Sequence, residues 1–191
     1  MPLLIIGLVL FLGVHSVAIF APALRARTIH RLGEGAWKGL YALVSLVGFV
    51  LICYGFGLAR QAPVVLYSPP IWMRHVALIL MLPVFPLIIA AYLPGRIKTA
   101  AKHPMLAAVK LWAFAHLLAN GMLADIFLFG GFLAWAVVDR ISLKRRSIPQ
   151  VLRTAPTGPW NDVIAVVLGL AVYALLIGWA HLRLFGVSPV T

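Results

Sequence analysis

Cysteine and charged residues are scarce in this chain of 191 residues, and each shortage excludes a class of protein. A single cysteine, Cys53, leaves no internal disulfide and no CxxCH motif for covalent haem attachment. Charged residues make up 10% of the chain, far below the roughly 25% of an ordinary soluble domain. The sequence is therefore not that of a soluble globular protein.

Hydrophobic residues are abundant, at 63% of the chain. A helix needs about 20 apolar residues to cross the hydrocarbon core, and only helices satisfy their own backbone at this hydropathy. The sequence predicts an all-α integral membrane bundle that forms one domain over residues 1–191. Its six predicted spans cover residues of about 2–21, 37–59, 72–93, 104–120, 122–138 and 161–182.

Basic residues give the chain a formal net charge of +12. In a soluble protein this charge would suggest nucleic acid as a partner, but here the cations lie between apolar spans, where they set orientation. We therefore exclude nucleic acid, and predict that both termini face away from the cytoplasm. The loops after spans one, three and five carry most of these cations: Arg25, Arg27 and Arg31; Arg96, Lys98 and Lys102; Arg140, Lys144, Arg145, Arg146 and Arg153.

Local signals refine this topology. No cation precedes the first apolar run, so we interpret it as an uncleaved span rather than a signal peptide, and expect a loop from Pro22 to the second span. Pro83 and Pro86 predict a bend in span three because proline lacks a backbone N–H. The spacing of Gly35 and Gly39 would allow a close approach between helices.

Two histidines lie inside predicted spans, where an ionisable residue indicates a functional site. His15 precedes Ala21, the cytoplasmic end of span one, by six residues, which is about 9 Å at 1.5 Å per residue. His116 follows Lys110, whose amine is expected to reach the interface, by the same number. We therefore expect both imidazoles at one level of the bundle.

The residues near these histidines favour a flat ligand over zinc. Small residues adjoin both imidazoles and leave space for something flat, and Trp112, one helical turn before His116, could stack on that flat group. Two imidazoles from different helices suit a porphyrin iron, whereas zinc needs three or four protein ligands. The alternative is that each histidine only hydrogen-bonds a neighbouring helix.

Several motifs resemble the NnrU family, membrane proteins associated with denitrification and related to the plant and cyanobacterial 15-cis-zeta-carotene isomerase. The resemblance is strongest over residues 103–140 and covers most of the chain. It is carried by Val14-His15-Ser16, Trp37, Tyr41-Ala-Leu-Val-Ser45, His103-Pro104, Trp112, Ala115-His-Leu-Leu-Ala-Asn-Gly121, Leu128-Phe-Gly-Gly-Phe132, Trp135-Ala136 and Asp139-Arg140.

This resemblance implies that the protein binds haem b. In the isomerase, histidines in the contexts of His15 and His116 bind the haem, whose ferrous form isomerises a cis double bond. The isomerase also has a cysteine three residues before the second histidine, where this chain has Ala113. Ligation by that thiol therefore does not carry over.

Three functions remain open. The first is a haem enzyme, either an isomerase of carotenoid-like polyenes or a redox enzyme of nitrite and nitric oxide metabolism; the second is a protein that senses nitric oxide or delivers haem. The third is a structural or assembly protein without a cofactor. We expect a multi-pass protein of the bacterial inner membrane, surrounded by lipid. The predicted cofactor site comprises the iron ligands His15 and His116 with Trp112, Asn120, Arg25, Lys102 and His103.

Overall fold

A computed structural model describes residues 1–145 and 154–190, and most of these residues are helical. Five helices, α1, α2, α3, α6 and α7, are long and apolar enough to cross a membrane, which confirms the all-α membrane class. The sixth apolar helix, α5, has 16 residues and rises about 24 Å, less than the roughly 30 Å of a hydrocarbon core. In chain order the helices are α1 Pro2–Phe20, α2 Pro22–Gln61, α3 Ile71–Ala90, α4 Arg96–Ala101, α5 Pro104–Ala119, α6 Leu123–Arg145 and α7 Asn161–Phe185.

Six spans and the side of the termini therefore stay predictions. Two of the cations used to orient the chain, Arg146 and Arg153, lie outside the described residues.

The predicted loop after the first span is wrong, because α2 begins at Pro22 and continues for 40 residues. Proline is well suited to the first turn of a helix, where its missing N–H has no partner to lose. The backbone leaves helical geometry inside α2 at Gly33, whose φ of 84° is easily adopted only by glycine. A kink at Gly33 thus replaces the expected loop.

The helix of the third span is interrupted beside Pro83, at the position where a bend is predicted. α3 consists of two helical segments, Ile71–Met81 and Val84–Ala90. The Leu82 N–H donates to the carbonyl of Ile79 (3.2 Å) instead of that of Leu78. The Leu78 carbonyl accepts a hydrogen bond from the Tyr173 hydroxyl of α7 (2.9 Å). A tyrosine from another helix thus satisfies backbone beside the proline break.

The described residues form two compact units, each made from two stretches of chain. The first unit comprises Met1–Tyr67 and Met122–Leu143, and the second comprises the described residues of Ser68–Gly121 and Lys144–Thr191. Because the stretches alternate along the chain, no single cut in the sequence separates the units.

In the first unit, glycines bring α1 and α2 into backbone contact. A Cβ added at Gly7 would lie 2.6 Å from the Ile52 nitrogen, and one at Gly48 would lie 2.8 Å from the Phe11 nitrogen. From Gly7 to Phe11 on α1, the contacting residue on α2 moves back from Ile52 to Gly48. The two helices are therefore antiparallel. The close approach that the spacing of Gly35 and Gly39 would allow is not made among the described residues, since a Cβ at either would meet nothing within 4 Å.

The start of α6 is fixed to the loop that follows α2. The Leu123 N–H donates to the carbonyl of Val64 (2.8 Å), and Val65 forms an isolated antiparallel bridge with Met122. Asp125, only 1% exposed, accepts a hydrogen bond from the Met122 N–H (3.0 Å). This carboxylate therefore holds the turn at which α6 begins.

In the second unit, Asp162 at the start of α7 caps the start of α4, and its removal should destabilise the protein. The carboxylate accepts the N–H groups of Arg96 (2.8 Å) and Ile97 (3.1 Å). Asp162→Ala leaves both donors without this acceptor, so we expect a loss of about 1–3 kcal/mol in the free energy of unfolding, measured by denaturation in detergent.

A suitable control is Glu34→Gln, which breaks an exposed ion pair with Lys38 (2.8 Å) and should cost no more than about 0.5 kcal/mol. Equal losses in the two variants would contradict the capping role of Asp162.

Candidate functional site

His15 lies in α1 with its imidazole orientation set by the helix itself. Its Nδ1 is 2.7 Å from the carbonyl oxygen of Phe11, one turn earlier. A carbonyl only accepts hydrogen bonds, so Nδ1 carries the proton and the neutral ring has its lone pair on Nε2. Histidines that bind metals commonly have this arrangement, with the second ring nitrogen donating to a backbone carbonyl.

Aromatic rings from three helices surround the His15 imidazole within the first unit. Phe11 stacks on it, with ring centroids 4.3 Å apart and planes at 25°. Tyr41 of α2 lies at 5.1 Å, and Trp135 of α6 approaches at 6.0 Å with its plane at 88° to the imidazole. His15 therefore sits in an aromatic cluster that restricts how its ring can turn.

A π-helical turn at Ile126–Gly130 precedes the part of α6 that supplies Trp135. The extra residue of a π turn rotates the side chains that follow it, and such turns are frequent at functional sites. Phe132, just after this turn, contacts Phe11 with ring centroids 5.7 Å apart. Phe132 and Trp135 thus face α1 at successive turns.

Two polar atoms on the helices that contact His15 are buried without a hydrogen-bond partner among the described residues: Ser45 Oγ of α2 and Trp135 Nε1 of α6. Ser45 follows Tyr41 by one turn of α2, on the same face. Sequence reasoning did not assign either residue to the site. The four-residue spacing of Tyr41 and Ser45 was the available signal, but its meaning depends on the register between α1 and α2.

His116 lies in α5 of the second unit and repeats the arrangement of His15. Its Nδ1 is 2.8 Å from the carbonyl oxygen of Trp112, again one turn earlier, so its lone pair is also on Nε2. The Trp112 ring packs against the imidazole, with centroids 5.4 Å apart and planes at 52°. Both intramembrane histidines thus have an aromatic residue four positions before them that orients the ring.

Asn120 ends α5. Its side-chain Nδ2 and its backbone N–H both donate to the carbonyl of His116, each at 2.9 Å. Such bonds satisfy a carbonyl that the end of a helix leaves without an intrahelical donor. Asn120 therefore contacts the backbone of His116 and fixes the end of its helix.

The other predicted site residues lie at helix ends or on exposed surface. His103 is the N-cap residue of α5, and Lys102 before it is exposed with a φ of 59°. Arg25 is exposed in the first turns of α2. The first unit thus holds His15 and Arg25, and the second holds His116, Trp112, Asn120, Lys102 and His103.

The structure brings Trp112, His116 and Asn120 together and surrounds His15 separately with Phe11, Tyr41 and Trp135. A shared level for the two histidines stays a prediction. Among the residues that the structure describes, no three of His, Cys, Asp and Glu group to hold a metal ion. A metal bound at either histidine would therefore need ligands from elsewhere, such as a porphyrin.

A protein-family model supplies the relationship that these residues suggested. The model of the NnrU protein family matches residues 3–189. The chain belongs to this family. The match includes both units and both intramembrane histidines of this NnrU family member, and confirms the resemblance drawn from the motifs around them. No curated protein and no solved structure matches the chain.

Proposed function

We propose that this NnrU family member is a haem b protein of the membrane in which His15 and His116 are the iron ligands. The observation that carries the proposal is their matched geometry, since both direct Nδ1 to the carbonyl four residues earlier (2.7 and 2.8 Å). This bond fixes the tautomer whose lone pair is on Nε2, the atom through which such an imidazole binds a metal. Interhelical hydrogen bonding, the alternative role for these histidines, does not require both rings to bond their own helix in the same way.

The donor set fits a haem. Haem iron needs one or two protein ligands, and imidazole is the commonest, whereas a protein-bound zinc ion would need more donors than the described residues group together. Bound haem would supply one-electron redox chemistry and a site for small gaseous ligands.

The chain's own residues would orient the cofactor and neutralise the charge of its propionate groups. Trp112 and Phe11 fix the two imidazoles, and Trp112 offers an aromatic face to a flat ring. Arg25 and Lys102 are exposed cations, suited to the propionate groups, and His103 lies beside Lys102 at the N-cap of α5.

The topology proposed with this function has six spans in a bacterial inner membrane, with both termini outside the cytoplasm. Helix α5 is the shortest span, and the Lys and Arg residues between spans support the orientation. From the resemblance to other NnrU proteins we infer a role in nitrite and nitric oxide metabolism.

A reduced-minus-oxidised absorption spectrum of the purified protein tests the cofactor. With haem b and two imidazole ligands we expect a Soret band and sharp split bands on reduction, at about one haem per chain by pyridine haemochrome assay. Colourless protein from cells supplied with haem precursor would contradict the proposal. Nitric oxide added to the reduced protein then tests reactivity with this gas, and an unchanged spectrum would remove the proposed link to nitric oxide.

A further inference from the structure

We propose that Ser45 Oγ and Trp135 Nε1 are the hydrogen-bond donors of a binding site beside His15 for an uncharged group with an acceptor oxygen. The oxygen comes from a small neutral ligand or from an ordered water. The site needs only side chains of the first unit and no iron, so it stands apart from the proposed haem.

The register between α1 and α2 places Ser45 at the level of His15. Gly48 lies against the backbone of Phe11, where a Cβ would be 2.8 Å from the Phe11 nitrogen. Ser45 precedes Gly48 by three residues, and His15 follows Phe11 by four. Because these helices are antiparallel, both steps lead in the same direction, and the 5.1 Å between the rings of His15 and Tyr41 confirms the level.

Helix α6 brings Trp135 to the same level. Phe132 contacts Phe11 at 5.7 Å, and Trp135, three residues later, reaches His15 at 6.0 Å. One turn along α6 thus matches one turn along α1. Ser45 and Trp135 therefore lie at the level of the His15 imidazole on two different helices.

The chemistry of the two atoms defines the occupant. An indole N–H only donates, so its partner must be an acceptor, and a serine hydroxyl can donate to the same oxygen. A helical serine in a membrane usually bonds the carbonyl of the preceding turn, yet Ser45 Oγ has no partner among the described residues. Imidazole, phenol, hydroxyl and indole are uncharged groups, and burial disfavours an unpaired charge, which favours a neutral ligand.

The indole proton of Trp135 reports directly on this site. The full chain is labelled with ¹⁵N at tryptophan and placed in lipid nanodiscs, with any haem iron held in the reduced state. It should give six indole N–H signals, since it has six tryptophans. Trp135→Phe identifies one of them. We expect that signal downfield, at the position of a hydrogen-bonded indole, with deuterium exchange at least about tenfold slower than for Trp160, which is 68% exposed.

Ser45→Ala tests whether the two donors share an acceptor. This variant should shift the Trp135 signal, whereas Thr28→Val should not, because the Thr28 hydroxyl already donates to the Leu24 carbonyl (2.9 Å). A Trp135 signal upfield, at the position of an indole without an acceptor, and unmoved by Ser45→Ala would overturn the proposal.

Thermal unfolding and cross-relaxation complete the test. If an acceptor is bound, Ser45→Ala lowers the midpoint of thermal unfolding; a midpoint that rises shows that the hydroxyl had no partner, and overturns the proposal. A cross-peak from the Trp135 indole proton to water identifies the oxygen as an ordered water. A cross-peak to a non-water, non-protein proton identifies a retained ligand.

Discussion

His15→Ala and His116→Ala are each expected to lower the haem content of the purified protein by more than about tenfold, or to convert the remaining haem to a high-spin form. Each substitution removes a ring whose Nε2 lone pair is set by a bond of 2.7 or 2.8 Å to its own helix. The double variant should retain no haem. Haem per chain, together with the positions of the Soret and visible bands, measures the effect.

Exposed histidines of the same units provide matched controls. His30→Ala in α2 and His75→Ala in α3 remove imidazoles that face outward, so haem content and spectrum should match those of the parent. Added imidazole should restore the low-spin spectrum in His116→Gly, because it can occupy the vacated space. Haem bands unchanged in both His15→Ala and His116→Ala would show that other residues bind the iron.

Helix positions followed from the sequence because lipid and local backbone chemistry determine them. Apolar runs of membrane length predicted α1, α3, α6 and α7, and the missing N–H of Pro83 predicted the break in α3. Asn120 and Gly121 marked the end of α5. These features depend on residues close together in the chain.

The features that the sequence did not predict depend on competition between helix propensity, packing and hydrogen bonding, which local residue patterns do not determine. The residues after Pro22 include cations typical of a loop, but arginine, alanine and leucine are also good helix formers. The chain therefore stays helical there and leaves helical geometry only at Gly33. π turns such as Ile126–Gly130 arise where packing outweighs regular hydrogen bonding. Polar and apolar patterns give no signal for either feature.

The candidate site was predicted in part. Intramembrane position identified His15 and His116. Trp112 was placed one turn before His116 as a platform for a flat ligand, and in the structure its ring packs against the His116 imidazole itself. Ser45 and Trp135 were missed because three helices bring them to His15. Their meeting depends on the register of α1 against α2, which small residues far from the site set.

That register should fail when Gly55 gains a side chain. A Cβ at Gly55 would overlap the backbone nitrogen of Leu4, a residue of α1 with 0% exposure, so α1 would have to move away from α2. We expect Gly55→Ala to lower the free energy of unfolding by about 1–3 kcal/mol, as overpacking usually does. Denaturation in detergent, followed by circular dichroism, measures the change.

Gly57→Ala, two residues further along α2, is the matched control because a Cβ there would meet nothing within 4 Å. Alanine forms helices more readily than glycine by up to about 1 kcal/mol, so this variant should be neutral or more stable. Opposite signs for the two variants separate helix contact from helix propensity. If Gly55→Ala were also neutral, backbone contact between α1 and α2 could not be what places Ser45 and Tyr41 beside His15.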